Sequence, residues 1–442
     1  MTHCNQTFAF SSMQKRQLVV DFQGGAITTD GGAIWLREVD RKLGLIDRLT
    51  DCLHDPRDSR RVRHTLSDLL RQRIFQIALG YEDANDAETL RKDPALKIGC
   101  HRDPHQEDLA SQPTLSRLEN SVDNDDLQRL LKGMVDHYVE HRETPHNGWI
   151  VFDVDATDDE THGQQEFAGF HAYYGHYCYL PLLIHDGHTG DLIVPLLRPG
   201  RVSAKLGADG ILLYLAERVR EKWPDVRVLV RGDSGYCGEL LYEQLEAAGI
   251  DYVFGIARNA RLQALAEPLM KPARLLSFLA DRKMTAFAWG EYQAEGWDRA
   301  RKVVVKAERL LGKDNPRFLV TTLEGDPGWI YRKLYCIRGE SSENRIKDLM
   351  NGCRADRLSC HRFTGNFFRL ILHSAAYILL HQLRRELEAG DVDRMEITTL
   401  RLKVLKVGGR IRRTCRKIWV HLASGYPYRQ LWEVLHQRLV LA

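Results

Sequence analysis

Apolar residues in the first third of the chain recur with the period of a helix. They follow intervals of three and four over residues 66–77, directly after Thr65, a residue type that caps helices, and again over residues 127–138. The segment SQPTLSRLEN at 111–120 has the Pro-Thr pair of a helix start, which predicts a helix capped by Thr114. Together with a short apolar stretch, QLVVDF, this pattern predicts a mainly helical N-terminal domain over residues 1–145.

From residue 149 the pattern changes to short apolar runs of the kind that form buried strands. Five such runs follow one another: WIVFDVDAT, YCYLPLLIH, DLIVPLLR, VRVLV and YVFGIA. Helical periodicity over 208–222 and 240–248 separates the last three runs. The order is three strands, helix, strand, helix, strand, which is the topology of the ribonuclease-H-like fold. We assign residues 146–258 to the first part of that core.

The stretch after this part contains three more strand-like runs, MTAFAWGEY, RKVVVKA and RFLVTTL. A polar segment suited to a helix, ESSENRIKDLM, begins much later than the closing helix of the fold needs to begin. We therefore predict a β-rich insertion over residues 259–333 and the closing helices of the core over residues 334–390. The predicted fold class is α+β or α/β, with a ribonuclease-H-like catalytic core interrupted by this insertion and preceded by the helical domain.

The composition, with 43% hydrophobic and 28% charged residues, is that of a folded globular protein. No apolar run approaches the roughly 20 residues of a membrane helix, and the N-terminal residues lack the layout of a secretory signal. The nine cysteines form no CxxC pair, which favours reduced thiols over a disulfide framework. These features predict a cytoplasmic protein without a membrane partner.

Positive charge is concentrated near the C-terminus, although the net charge of the chain is only +3. Residues 401–420 contain eight basic residues and no acid: Arg401, Lys403, Lys406, Arg410, Arg412, Arg413, Arg416 and Lys417. These charges alternate with apolar residues and predict a DNA-contacting C-terminal segment over residues 391–442, with a solvated basic face as the alternative. Arginines also crowd residues 57–64, ahead of the first predicted helix. They favour a DNA-binding N-terminal domain over residues 1–145, with a merely polar, arginine-rich helix face as the alternative.

Carboxylates occur where a metal site of the predicted core would form. Asp153 and Asp155 lie two residues apart, so both project from one face of the first strand, and Asp233 closes the VRVLV strand. A glutamate follows in the polar helix near residue 343. Three carboxylates gathered from distant positions suit magnesium, and two such ions about 3.5–4 Å apart catalyse phosphodiester chemistry. Spacing alone leaves both Asp153 and Asp155 open as the ligand from the strand.

Three motifs occur in a fixed order along the chain. They are DAT at 155–157, RGDSGY at 231–236, and YCIRG at 335–339 followed by ENRIK at 343–347. GGAITTDGGA, SQPTLSRLEN, HYCYLPL and a terminal SGYPY extend the set over nearly the whole chain. In this order the motifs resemble those of DDE transposases of bacterial insertion sequences, specifically the insertion-sequence family numbered thirteen-eighty. The Ala-Thr context of the first motif favours Asp155 over Asp153.

The resemblance implies a DNA transposase that cleaves DNA at insertion-sequence ends and joins the freed 3′-OH to target DNA. Asp155, Asp233 and Glu343 would be both the catalytic residues and the metal ligands, holding Mg²⁺ with Mn²⁺ as a substitute. The resemblance also implies a homodimer on terminal inverted repeats and target DNA, and no small-molecule cofactor. The expected location is the bacterial cytoplasm, in association with the nucleoid.

The resemblance further implies a set of DNA contacts near the last acid. Tyr335 and Arg338 would position the transferred strand, and Lys347 would lie one helical turn beyond Glu343, on the same side. With the basic C-terminal segment, the predicted DNA-binding residues are Tyr335, Arg338, Lys347, Arg401, Lys403, Arg410, Arg412, Arg413, Arg416 and Lys417.

The spacing before the last acid departs from the family pattern. Four residues separate Arg338 from Glu343, where the family has three. Lys347 follows Glu340 by seven residues, the interval that the family places after its glutamate, so Glu340 remains a second candidate. Two other functions therefore stay open, a transposase-derived DNA-binding protein without catalysis and a metal-dependent nuclease of the same fold.

Overall fold

The structure, a computed structural model, describes residues 7–145 and 147–441, without the side chains of Glu340 and Ser341. It begins with an exposed hairpin of β1 (Phe8–Met13) and β2 (Arg16–Val20), followed by the short strand β3 (Ile27–Thr28). The α-helices that follow are α1 (Ala33–Leu43), α2 (Leu45–Asp51), α3 (Leu66–Leu79), α4 (Ala87–Leu90), α5 (Pro94–Gly99), α6 (Gln112–Ser121) and α7 (Asn124–His141). The N-terminal region is thus mainly helical.

Local chemistry sets the ends of these helices. The hydroxyl of Thr65 accepts a hydrogen bond from the backbone N–H of Asp68, whose carboxylate accepts from the N–H of Thr65, so α3 begins with a capping box. The helix ends at Gly80, whose φ of 93° lies in the left-handed region that favours glycine. In α6 the capping position is Ser111. The prediction of Thr114 was wrong, because that residue already lies inside the first turn.

A mixed sheet of nine strands forms the centre of the chain. Its strands are β4 (Trp149–Ala156), β8 (Leu182–Asp186), β9 (Leu192–Leu196), β10 (Arg227–Gly232), β11 (Asp251–Ile256), β12 (Met284–Tyr292), β13 (Arg301–Leu310), β14 (Lys313–Asp314) and β15 (Arg317–Thr321). The short strands β5 (Asp159–Glu160), β6 (Gly169–His171) and β7 (His176–Tyr179) form a separate small sheet. The main sheet runs β12–β13–β15–β11–β10–β4–β8–β9, with β14 paired to β13. In it, β10 runs parallel to both β4 and β11, and the other pairs are antiparallel.

The apolar run YCYLPLLIH forms two strands and not the single strand that was predicted. Its first part is β7, in a small sheet of the order β5–β7–β6, and its second part is β8, in the main sheet. Pro181 lies between the two strands. Proline lacks the N–H that a sheet ladder uses, so the run is interrupted there. The helices α8 (Ala208–Lys222) and α9 (Glu239–Ala247) occur where helical periodicity predicts them.

The predicted insertion over 259–333 continues the main sheet. Its strands β12, β13 and β15 are present, and β15 pairs directly with β11 of the core. The segment opens with α10 (Ala260–Ala280), which packs against β12 and β13. The sequence analysis missed this helix because Pro268 and Pro272 lie inside it, and proline disfavours a helix interior.

Different elements pack against the two faces of the main sheet. Every second residue of β4 from Ile150 to Val154 belongs to an apolar cluster with α7, α8, α9 and α10. Because side chains alternate along a strand, Asp153 and Asp155 project to the opposite face. Helix α12 (Cys336–Lys347) packs against β4. Before it along the chain come α11 (Pro327–Trp329) and a π-helical segment at Ile330–Tyr335, and after it comes a second π-helical segment at Asp348–Gly352.

A second core surrounds α13 (Phe363–Glu388), which packs against α1, α3 and α6. This helix is long and apolar enough to cross a membrane by length and composition, but 83% of its apolar window is buried inside the protein. Packing therefore accounts for its apolar character. The chain then continues with α14 (Ile397–Leu400), a π-helical segment at Arg401–Leu405, β16 (Gly409–Arg413), β17 (Ile418–Leu422), α15 (Arg429–His436) and a π-helical segment at Gln437–Leu441. β16 pairs with β3, which joins the C-terminal segment to the N-terminal region.

The N-terminal core contains a buried ion pair that should be essential for stability. The fully buried Arg73 donates from Nε to Glu119 at 2.7 Å and from Nη2 to the carbonyl of Glu82 at 2.7 Å. Arg73→Met would leave the Glu119 carboxylate buried without its main partner, which should lower the free energy of unfolding by about 3–5 kcal/mol. Urea denaturation measures this loss. Arg60→Met, at a side chain that is 87% exposed, is the matched control and should change the same quantity by less than about 0.5 kcal/mol.

Candidate active site

Two aspartates meet at the ends of adjacent parallel strands. In the register of β4 and β10, Asp153 lies opposite Arg231 and Val154 lies opposite Gly232. The next residues along are Asp155, still in β4, and Asp233, which directly follows β10. If the same register continued, their backbones would lie about 4.8 Å apart. The sequence predicted both residues as acids of one site, and they lie at the ends of two paired strands.

Asp153 already has its partners. Its two carboxylate oxygens accept from Nε and Nη2 of Arg231 at 2.7 and 2.8 Å, and Nη1 of Arg345 lies 3.3 Å from Oδ2. The side chain of Asp153 is fully buried. This ion-paired carboxylate joins β4, β10 and α12, so Asp155 is the acid of this strand that remains for a ligand.

Asp155 is a buried carboxylate with one oxygen still available. Its Oδ1 is paired with Nη1 of Arg338, whereas Oδ2 is buried without a hydrogen bond of standard geometry, as is the hydroxyl of Ser342 beside it. Burial raises the pKa of Asp155 to about 6, while the positive charge of Arg338 and the proximity of Ser342 act in the opposite direction. A buried oxygen with only the Ser342 hydroxyl beside it, next to a cation that neutralises the other oxygen, fits a site that can hold a metal ion.

Asp233 lies on a turn whose shape is fixed by tight packing. Its carboxylate accepts from the N–H of Gly235 at 2.8 Å and is exposed to solvent. A Cβ at Gly232 would lie 2.9 Å from the ring of Tyr236 and 3.0 Å from that of Phe254. Glycine is therefore required just before Asp233, where the strand ends against these two stacked rings.

Tyr335 and Arg338 lie beside the two aspartates. A Cβ at Gly255 would be 2.6 Å from the hydroxyl of Tyr335 and 3.3 Å from the backbone nitrogen of Ser234, so glycine makes room for the phenol at the Asp233 turn. The ring of Tyr335 is 5.6 Å from the guanidinium of Arg338. Burial raises the pKa of Tyr335, and the negative charge of Asp233 contributes in the same direction.

Glu343 does not join the two aspartates. Its side chain is 68% exposed and pairs with Nζ of Lys347 at 2.7 Å, a hydrogen bond that lowers the pKa of Glu343. Arg338, Ser342 and Arg345 are the buried residues of α12 that define the side facing β4. Successive residues of an α-helix are about 100° apart, so Glu343 points away from that side. The side chain of the other candidate, Glu340, lies outside the described residues.

The described side chains contain another acidic group, but it lies elsewhere. Carboxylate oxygens of Glu239, Glu243 and Asp298 lie within 4.8 Å of one another. These acids are exposed or only half-buried, and such groups are common without a metal. Among the described side chains, neither Asp155 nor Asp233 belongs to a group of three acids, histidines or cysteines this close together.

The predicted C-terminal DNA contacts fall into two groups. Arg401 uses its donors inside the protein, from Nε to the carbonyl of Ala78 at 2.8 Å and from Nη2 to that of Gly352 at 2.6 Å, and burial lowers its pKa. The structure thus makes Arg401 a packing residue. Lys403 lies over the ring of Tyr428 at 4.9 Å.

The other basic residues belong to the β16–β17 hairpin and its turn. Arg410 pairs across the strands with His421, and Arg412 pairs with Trp419, so these four exposed side chains share one face of the hairpin. The remaining members are Arg413, which forms an ion pair with Asp103 at 2.5 Å, Arg416, which is exposed, and Lys417, which lies 5.4 Å from the ring of Trp419. This face combines cations and aromatic rings, as nucleic-acid surfaces do.

Sequence reasoning missed the residues that build the support of the site. Arg231 was seen only as part of the RGDSGY motif, although strand alternation puts it on the same face as Asp233. No signal in the sequence indicated that Arg345 and Ser342, on α12, face β4. Near Asp233 the structure also places Tyr174, whose ring stacks on His176, and Nε2 of His176 lies 2.8 Å from Asp158.

A mixed sheet with two carboxylates at adjacent strand ends is typical of enzymes that bind divalent metals and act on phosphate esters. The chain belongs to the family described as Transposase DDE domain group 1, which it matches over residues 10–442. The protein is thus of the DDE transposase type, an enzyme class of polynucleotidyl transferases and nucleases whose members use divalent metal ions.

Seven solved chains match the protein, and one of them is the piggyBac transposase in its synaptic complex with hairpin DNA, determined by cryo-EM. The TM-score is 0.43 at 11% sequence identity, over 85% of this chain and 79% of that chain. Comparison with curated protein sequences gives no match.

The titration of Asp155 tests the electrostatics of the site. Arg338→Gln removes a positive charge that favours the carboxylate, so the pKa of Asp155 should rise above about 6. A ¹³C carboxyl titration of aspartate-labelled protein measures this shift. Lys347→Gln is the control, because Lys347 pairs with Glu343 and not with Asp155; an equal shift in both variants would contradict the assignment.

The same pKa fixes the sign of a stability effect. The folded-state pKa of about 6 lies above the ordinary value of 3.8, so Asp155 binds protons on folding between these two pH values. Its contribution to stability is therefore complete at low pH and is lost as the pH rises through about 6.

Proposed function

We propose that this protein is a DNA transposase of the thirteen-eighty insertion-sequence family, which cleaves its element ends and joins the freed 3′-OH to target DNA. The observation that carries the proposal is the pair Asp155 and Asp233 at adjacent strand ends in a chain of the DDE transposase family. The order β9–β8–β4–β10–β11, with β4 and β10 parallel at its centre, supports a ribonuclease-H-like core. Its partners are terminal inverted repeats and target DNA, bound as a homodimer in the bacterial cytoplasm.

In this proposal Asp155 and Asp233 hold the divalent metal, Mg²⁺ or Mn²⁺ as its substitute. When bound, the metal supplies Lewis-acid activation of the attacking oxygen and charge neutralisation at the phosphate. Asp155 must be deprotonated for this role, which its pKa of about 6 allows at neutral pH. Arg338 neutralises Asp155 in the described state and moves to a DNA phosphate in the active one, where Tyr335 positions the same strand.

Glu343 completes the site only if α12 changes its register. A π-helical turn closes a hydrogen bond between residues i and i+5, one more than an α-helical turn. A π-helical turn between Arg338 and Glu343, which are five residues apart, would therefore bring Glu343 to the side now taken by Ser342. Such turns flank α12 at Ile330–Tyr335 and Asp348–Gly352. Movement of one of them into α12 would accommodate the extra residue of this chain.

A second candidate function is a transposase-derived DNA-binding protein without catalysis. The observation that favours it is the outward position of Glu343, while the serine Ser342 faces Asp155. The two functions differ in whether α12 ever presents a carboxylate to the aspartates.

Catalysis is tested by incubating the purified protein and divalent metal with DNA that carries its own element ends. We expect nicked and joined products from the wild type, and a loss of at least about a thousandfold in Asp155→Ala and Asp233→Ala, because each removes a metal ligand. Nicking without joining would indicate the nuclease alternative. Absence of both products in the wild type, with DNA binding intact, would indicate the DNA-binding alternative.

The register of α12 is tested by Mn²⁺ binding, measured by electron paramagnetic resonance in the presence of DNA ends. Glu343→Gln should weaken Mn²⁺ binding by at least about tenfold, since even the loss of a residue that only supports a metal ligand costs that much. Glu324→Gln is the matched control, since Glu324 is likewise exposed and paired with a lysine, Lys302 at 2.8 Å. If Glu343→Gln has no effect and Ser342→Glu strengthens binding, α12 keeps the described register and Glu343 is not a ligand.

A further inference from the structure

An open basic cleft lies in the N-terminal region, apart from the site and the hairpin. It has a volume of about 710 Å³ and lies between the α2–α3 connection, the end of α4 and the start of α6. Its charged lining residues are Arg57, Asp58, Arg61, Arg63, Arg91, Asp108 and Arg117. Five arginines face two aspartates there, so the lining carries an excess of positive charge.

The arginines of this cleft differ in how firmly they are paired. Arg57 forms two hydrogen bonds with Asp55, both of 2.7 Å, and is committed to it. Arg61 is 89% exposed and no closer than 4.0 Å to Asp58, and Arg63 is 69% exposed and 3.5 Å from Glu107. Such long, exposed pairs contribute little stability, so the guanidinium groups are available to an incoming anion.

The separate partners of Asp108 and Arg117 preserve the excess of positive charge in the cleft. Asp108 is bound by Lys97 at 3.3 Å, which neutralises it from outside the cleft. Arg117 is exposed and contacts only the hydroxyl of Thr114, at 3.4 Å, among the partners described for it. The cleft therefore offers Arg61, Arg63 and Arg117 to a ligand with several negative charges.

A single loop connects the cleft to the β16–β17 hairpin. In residues 101–110, Asp103 binds Arg413 of the hairpin at 2.5 Å, and Glu107 pairs with Arg63 of the cleft. Four residues of chain span at most about 14 Å, so the cleft and the hairpin lie close to each other. One turn of duplex DNA is about 34 Å long and carries a phosphate charge every ~1.7 Å, enough to reach both surfaces.

We propose that this arginine cleft binds the sugar-phosphate backbone of the same DNA duplex that the β16–β17 hairpin contacts. The inference rests on the proposed function, in which DNA is the substrate. A two-stranded ribbon fits the major groove, and arginines bind the flanking phosphates through bidentate hydrogen bonds. The cleft contains no tyrosine, tryptophan or phenylalanine among its lining residues. A backbone contact fits this lining better than a base-stacking site for single strands or nucleotides.

The test is the salt dependence of duplex binding, measured by fluorescence anisotropy with a 25-base-pair element end in EDTA, so that no cleavage occurs. Arg61→Ala/Arg117→Ala should weaken binding by about tenfold at physiological salt and reduce the slope of log K against log salt by about 1.8, since each phosphate contact contributes ~0.9. Arg261→Ala/Arg282→Ala, at exposed positions at the two ends of α10, removes the same charge and is the matched control.

The outcomes separate the cleft from the hairpin and from the chemistry. Adding Arg410→Ala/Arg412→Ala should reduce the slope further, because hairpin and cleft bind different phosphates of one duplex. A slope that is unchanged in the cleft variant, or equally changed in the control, overturns the proposal. Displacement of the duplex by inorganic phosphate at constant ionic strength would instead assign the cleft to a free phosphate. Loss of cleavage in the wild type with a normal salt slope would overturn the proposed function and not the cleft.

Discussion

The buried carboxylate of Asp153 is the constraint on which the rest of the site depends. A fully buried negative charge is unfavourable unless cations surround it, and here Arg231 from β10 and Arg345 from α12 supply them. The ion pairs lock the register of the two central strands and hold α12 against the sheet. Asp155 lies two residues further along the same face of β4, so its position relative to α12 is fixed as well. The position of the catalytic candidate thus follows from a neighbouring acid whose oxygens are paired with arginines.

Asp155 and Arg338 form the second level of this arrangement. In the described state, the arginine neutralises a carboxylate whose pKa burial has raised to about 6. The ion pair holds α12 against the end of β4. In the proposed function, a metal ion held by Asp155 would replace this pairing and Arg338 would contact a DNA phosphate. The hydroxyl of Tyr335 packs over Gly255, next to the Asp233 turn, where a side chain at position 255 would collide with it.

Two π-helical segments, Ile330–Tyr335 and Asp348–Gly352, flank α12. An extra residue in an α-helix rotates everything beyond it by about 100°, and a wide turn can restore the original facing. In this structure the wide turns lie outside the interval from Arg338 to Glu343, so Ser342 faces the aspartates. The free-energy difference between two positions of a π-helical turn, a local property of a few hydrogen bonds, sets which residue of α12 faces the sheet.

The sequence by itself determined most of the elements and placed Asp155 and Asp233 at the ends of two strands. Thr65 and Asp68 specify the start of α3, alternation along WIVFDVDAT puts two aspartates on one face, and the glycine before Asp233 ends β10 at a sharp turn. These features depend on residues close in the chain, where spacing alone carries the geometry. Only the tertiary structure decided that Asp153 forms ion pairs with two arginines, that β12, β13 and β15 extend the core sheet, and that Arg401 packs inward. It also decided that Glu343 faces solvent. Each of these depends on contacts between distant segments, and on the rotation of a helix about its axis, which no local pattern of residues encodes.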